Sequence, residues 1–179
     1  HFKPHLRQFS RNYSYPTSKS SIFESSINKR TLKIKKIMTP STVFQIVGAL
    51  ALPMWILLIF LPKWKVTRFC IDYKIIPIIL GIIYAIYIID ALIAGGMMDF
   101  GSLQSVMQLF TVENAVLAGW IHYLAFDLLV GMWIVNQNKT LKIHQILIAP
   151  CLLGTFLFGP VGFLIFMILK SVKLKNATS

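Results

Sequence analysis

An apolar run over residues 115–135 holds two ionisable side chains, His122 and Asp127, and no other feature constrains the chain as strongly. The run is long enough to cross a bilayer as a helix. An ionisable group inside hydrocarbon is expensive, so it must face a bundle interior, a partner or a water-filled cavity. Three more apolar runs, at 42–61, 75–94 and 143–169, accompany it. Only 13% of residues are charged against 56% hydrophobic, whereas a soluble domain carries about 25% charge. The class predicted is all-α integral membrane. One domain over 38–175 would have four transmembrane helices and an interfacial amphipathic helix, preceded by an extended N-terminal arm over 1–37.

The arm, residues 1–37, differs from the rest. It carries Lys3, Arg7, Arg11, Lys19, Lys29, Arg30, Lys33, Lys35 and Lys36 against one acid, Glu24, and it is rich in serine. Basic, Ser-rich and acid-poor is the composition of an organellar transit region. The first residue is His1, from which the arm is expected to be the retained part of a longer precursor. The isolated aromatics Phe2, Phe9, Tyr13, Tyr15 and Phe23 suit anchors dropped into separate pockets of a partner. Nucleic acid is not an expected partner, because the net charge of +12 is concentrated in this arm and no aromatic-studded basic surface follows it.

Pro53 interrupts the first run, and Trp55 is expected toward one interface. Pro62 ends that helix. Lys63, Trp64 and Lys65 then make an interfacial anchor, and Arg68, Asp72 and Lys74 complete a short loop. Gly95 and Gly96 stop the second helix. Asp99, Phe100 and Gly101 read as a turn, with Ser102 the N-cap of a short interfacial helix over 103–113. Asn136, Gln137, Asn138 and Lys139 read as a polar turn. Gly159-Pro160, inside the fourth run, is expected to kink it. Four spans would put both termini on one side. Eight Lys and Arg on that side against six on the other favour the matrix side of a mitochondrion.

At about 1.5 Å rise per residue, Asp90 and His122 come to comparable depth and can pair across helices, while Asp127 lies near the midplane. Asp99, Glu113 and Asn114 belong to the interface above them. Ala115, Ala118, His122 and Ala125 form a stripe of mostly small residues expected to face a neighbouring helix. Glu113, Trp120, Tyr123 and Asp127 share another side. His122 and Asp127 therefore point about 140° apart at ~100° per residue, which argues against a catalytic dyad. Two readings stay open for Asp90, His122 and Asp127: polar glue between helices, or a proton or substrate site. No metal site or cofactor is expected. A haem bridging His122 and His144 is disfavoured by more than ~15 Å of helical rise between them. Cys70 and Cys151 lack metal-ligand spacing, and Cys151 reads as a small buried hydrophobe.

Several segments resemble one membrane family in order and kind. They are Leu50-Ala51-Leu52-Pro53-Met54-Trp55, Leu61-Pro62-Lys63-Trp64 with Thr67-Arg68, Asp99-Phe100-Gly101-Ser102-Leu103, the stretch from Gly119 through Trp120-Ile121-His122-Tyr123-Leu124-Ala125-Phe126-Asp127-Leu128 to Gly131, and Pro150-Cys151-Leu152-Leu153 through Phe158-Gly159-Pro160. From Met38 onward the chain is similar to the neoxanthin-synthase-like, abscisic-acid-deficient-four type. The resemblance implies a four-helix membrane protein and, by analogy with its plant members, a part in forming the xanthophyll neoxanthin in chloroplast membranes. It supplies no catalytic residues.

Two functions follow as expectations. One is a non-catalytic accessory subunit of a mitochondrial inner-membrane complex, such as a respiratory-chain assembly, touching other subunits through residues 1–37 and the spans and touching membrane lipids. The alternative is a xanthophyll-pathway enzyme in a plastid membrane, acting on a long apolar substrate between helices. The lack of a recognisable catalytic constellation favours the first.

Overall fold

A computed structural model of the chain describes residues 39–93 and 99–178. Among the described residues every regular element is a helix: α1 (Pro40–Phe60), α2 (Lys65–Tyr73), α3 (Ile75–Ile93), α4 (Leu103–Leu109), α5 (Glu113–Leu141), α6 (Gln145–Phe158) and α7 (Pro160–Thr178). α1, α3 and α5 are long and apolar enough to cross a membrane. α5 is the central element, with α1, α3, α6 and α7 all packed on it.

The buried positions of α1 are Val43, Val47, Ala51, Met54, Trp55 and Leu58. They recur every three to four residues and so make one stripe. The stripe meets Leu117, Ile121, Leu124, Leu128 and Met132 of α5, all buried. Opposite faces of α1 and α3 are apolar and exposed, as at Phe44, Leu52, Ile78 and Ile86. Where both faces of a helix are apolar, a lipid surround is the consistent solvent.

Trp55 is in the core rather than at an interface. Its ring is 2% exposed and packs 5.3 Å from the Phe156 ring. Room for it comes from Gly131, where a Cβ would stand 2.7 Å from Trp55 Cη2. The loop expected around Arg68 and Asp72 is a helix, α2. Thr67 and Ile71, four residues apart, are its buried face. Lys74 ends it in the left-handed region at φ 53°. The turn expected at 136–139 is also helical. α5 runs on to Leu141, and Lys142 at φ 51° caps it by donating its N–H to Asn138 O. The Asn138 side chain holds the following turn from both sides, accepting from Ile143 N at 2.8 Å and donating to Ile143 O at 3.0 Å. His144 then caps α6, its Nδ1 accepting from Ile146 N at 3.3 Å. Ser102 caps α4 as expected, accepting from Ser105 N at 3.1 Å.

The largest departure from expectation is in the fourth apolar run. Residues 143–169 are not one kinked helix. The chain stops at Gly159, reverses, and restarts at Pro160, so α6 and α7 form a hairpin packed along its length. Gly159 takes φ +49°, a conformation that glycine adopts without steric cost. Pro160 lacks an N–H and is pre-set for the first position of a helix. The two residues thus end one helix and begin another. Gly162 lets the arms touch, since a Cβ there would lie 2.3 Å from Cys151 O. α6 runs antiparallel to α5, from Asn138 beside Ile143 to Tyr123 beside Phe156. α7 returns alongside α5, with the Phe163 and Phe166 rings on Trp133 and Lys170 Nζ donating to Gln137 Oε1 at 2.8 Å. The end of α7 therefore lies with the end of α5, opposite the Pro40 end of α1. Pro40 and the end of α7 thus lie at opposite ends of the bundle, where four full crossings would have put them at one end.

Candidate functional site

The residues singled out in the sequence can be placed where the structure describes them. Asp90 is exposed near the end of α3, and no hydrogen bond or ion pair joins it to His122. His122 sits at the level of Tyr84, whose ring is 5.4 Å away, and stacks on Phe126 at 4.5 Å. Tyr84 and Asp90 are six residues apart, about 9 Å along the helix, so the expected pair is not formed. α5 begins at Glu113 rather than 115, which moves His122 deeper than the sequence estimate. The small-residue stripe is divided: Ala118 and Ala125 are buried, Ala115 is half-buried, and His122 faces outward. Asp99, Glu113 and Asn114 are all exposed. The anchors Phe2, Phe9, Tyr13, Tyr15 and Phe23 lie outside the described residues, as do Gly95 and Gly96. Cys151 is fully buried, as a small hydrophobe would be.

Asp99 organises the turn before α4. It accepts from Gly101 N at 2.8 Å and from the Ser105 hydroxyl at 2.7 Å. The Ser105 bond, followed by that of Gly101, holds its carboxyl below the ordinary carboxylate value. This is a local turn with its polar groups paired, and nothing in it reaches toward a ligand.

The other face of α5 carries the site. Glu113, Trp120, Tyr123 and Asp127 fall within about 80° of one another at ~100° per residue, and two clefts open along that face. The first, about 470 Å³, lies between the starts of α1 and α5 and is lined by Pro40, Ser41, Phe44, Thr111, Glu113, Val116, Leu117 and Trp120. Its walls are apolar and aromatic, with Phe44 and Trp120 rings 5.6 Å apart. Its polar groups are few: the Glu113 carboxylate and the hydroxyls of Ser41 and Thr111. Such a composition suits a ligand that is mostly hydrocarbon. Further along, Trp120 stacks on Tyr123 at 5.7 Å, and Tyr123 donates its hydroxyl to Phe156 O at 3.3 Å.

The second cleft, about 250 Å³, is lined by Asp127, Val130, Gly159, Pro160 and Phe163. Here the carboxyl of Asp127 lies against the hairpin reversal. A Cβ on Gly159 would stand 2.9 Å from Asp127 Oδ1, so the glycine gives this carboxyl its room as well as its turn. Asp127 Oδ2 is buried, and the neighbouring Tyr123 hydroxyl, which lies near enough to act on it, donates to Phe156 O instead and leaves it unpaired. His122 and Asp127 are on different sides of α5, as their spacing required. The sequence alone did not bring Phe44, Phe156, Gly159 or Phe163 to this face. The readable signal for the last two was the Gly159-Pro160 pair, expected as a kink and found as a reversal.

These residues fall within a recognised family region. The family description "ABA DEFICIENT 4-like" matches residues 42–166, which include all seven helices at least in part. A curated relative, "Protein ABA DEFICIENT 4, chloroplastic" of Arabidopsis thaliana, is 27% identical over 143 residues, 74% of this chain and 62% of the relative. The chain thus spans about three fifths of the length of the curated relative it matches. No solved structure matches it. On the family match, which runs through the helices and both clefts, the chain belongs to the ABA DEFICIENT 4-like family.

Proposed function

We propose that this chain is a plastid membrane protein of the carotenoid pathway, and that it holds a long apolar pigment against α5. The observation that carries the reading is the cleft of about 470 Å³ between α1 and α5, with aromatic walls and few polar groups, six of whose eight lining residues fall in the family-matched region. The chloroplastic relative supports the plastid, and the resemblance to neoxanthin-forming plant members supports the pigment class. The mitochondrial accessory-subunit expectation has no comparable support, since neither comparison names a respiratory or mitochondrial protein. Docking of residues 1–37 on partner subunits is compatible with a plastid assembly and remains part of the proposal.

On this reading α1, α3 and α5 cross the bilayer, while α6 and α7 enter and leave from one side. Backbone may depart from helix at membrane depth only where protein covers it, and Gly159 is buried against α5. Lys63, Lys65, Arg68, Lys74, Lys139, Lys142, Lys170, Lys173 and Lys175 then share one side. By the distribution of Lys and Arg that side faces the stroma.

The test is expression of the chain in plastids of a host that lacks its own family member, followed by chromatography of the pigment extract. Restored neoxanthin supports the reading. An unchanged pigment profile, with the chain present in the membrane fraction, removes it.

A further inference from the structure

We infer that Asp127, at the α6–α7 reversal, is the binding group for an oxygen at the end of the apolar ligand, in a second subsite of the same groove. The inference rests on the carotenoid reading above and adds to it a named residue and a required ligand group. Three observations carry it. Asp127 Oδ2 is buried and unpaired, because the neighbouring Tyr123 hydroxyl, near enough to act on the carboxyl, donates to Phe156 O instead, and a buried polar atom left unpaired is costly unless something occupies it. The carboxyl borders a cleft of about 250 Å³ whose other walls are Val130, Pro160, Phe163 and the bare backbone of Gly159. The cleft opens on the face of α5 that also lines the larger cleft, with the Trp120 and Tyr123 rings between them.

Glu113 and Asp127 are fourteen residues apart, about 21 Å along α5. A rigid polyene rod suits that span, whereas a compact ligand would fill one cleft only. A carboxyl can donate to or accept from a hydroxyl, so its complement is a hydroxyl on the terminal ring. A hydrocarbon carotene offers none. Asp127 thus selects oxygenated pigment over its parent hydrocarbon and fixes which ring lies at the hairpin. The role is binding and orientation; no bond to the ligand forms or breaks.

The test uses the full chain in lipid nanodiscs, offered zeaxanthin and β-carotene in competition. These differ by two ring hydroxyls, and the pigment retained per chain is read by chromatography. The wild-type chain should retain zeaxanthin over β-carotene by about tenfold, the factor that corresponds to one hydrogen bond of about 1.4 kcal/mol. Asp127→Leu should bring the ratio to about one, while Asp127→Asn, which keeps a donor, should preserve most of it. If Asp127→Leu does not fold, Val130→Trp serves instead. It fills the cleft from the α5 side and should likewise bring the ratio to about one. Retention of neither pigment by the wild-type chain removes the carotenoid reading and this inference with it. Zeaxanthin preference that survives in Asp127→Leu or Val130→Trp leaves the carotenoid reading standing and overturns the role of Asp127.

Discussion

Replacing Gly162 by Ala distinguishes the hairpin from a straight fourth helix by the sign of its effect. In the hairpin, a Cβ on Gly162 would meet Thr155 N at 2.0 Å, Cys151 O at 2.3 Å and Gly154 C at 2.5 Å. All three are backbone atoms, so no rotamer change relieves the clash. Heavy atoms in contact settle at about 3.5 Å, so α6 and α7 must part by about 1.5 Å. The side chains between them, Cys151, Leu152, Thr155 and Phe166, are fully buried. A gap of even 0.5–1 Å forfeits about a quarter to a half of each contact. Overpacking costs about 1–3 kcal/mol, and a backbone obstacle places this case near 3 kcal/mol. In a straight helix the same change would help, since Ala is about 0.8–1 kcal/mol better than Gly in a helix interior. Gly81→Ala in α3, where nothing lies within 4 Å of the added Cβ, is the control expected to stabilise. The assay is reversible unfolding in mixed micelles, followed by helical circular dichroism. Gly162→Ala as stable as the wild-type chain, or more so, would falsify the close packing of the two arms.

Three further outcomes are expected. Gly131→Ala should destabilise by about 1–3 kcal/mol, because the Trp55 ring at 2.7 Å has to move; an unshifted Trp fluorescence spectrum and unfolding midpoint would contradict that contact. Cysteines placed at Lys139 and Lys175 should react with a membrane-impermeant thiol reagent from the same side, and one at Ser102 from the other, in a background with Cys70 and Cys151 replaced; labelling of Lys175 with Ser102 would restore a fourth crossing. The Asp99 turn should depend on pH with a definite sign. Its carboxyl is held below the ordinary carboxylate value by Ser105 and Gly101, so its contribution is complete above the ordinary value and is lost as pH falls through the lowered one; amide exchange at Gly101 and Ser105 should rise only there, and Asp99→Asn should abolish that pH dependence.

Sequence alone determined the class of helix and most of the helix positions. Apolar runs 42–61 and 75–94 became α1 and α3 nearly unchanged, because in a chain so apolar the helix is the structure that satisfies its own backbone. Side-chain spacing also settled, without a structure, that His122 and Asp127 face apart, since 100° per residue is a property of the helix and not of its surroundings. Short polar segments were less legible. Residues 65–73 mix charged and apolar positions over too short a run for a span, and their helix is decided by burial of Thr67 and Ile71 against the rest of the fold. Residues 136–139 look like a turn because they are polar, yet the helix continues until Lys142 takes the left-handed conformation that ends it. Tertiary packing alone decided the fate of Gly159-Pro160. The pair permits a kink or a reversal, and the close approach at Gly162 together with the rings of Trp133, Phe163 and Phe166 makes the reversal the packed solution. That reversal brings Gly159 to Asp127. A contact between residues 32 positions apart depends on where two helices turn, and no local periodicity carries that information.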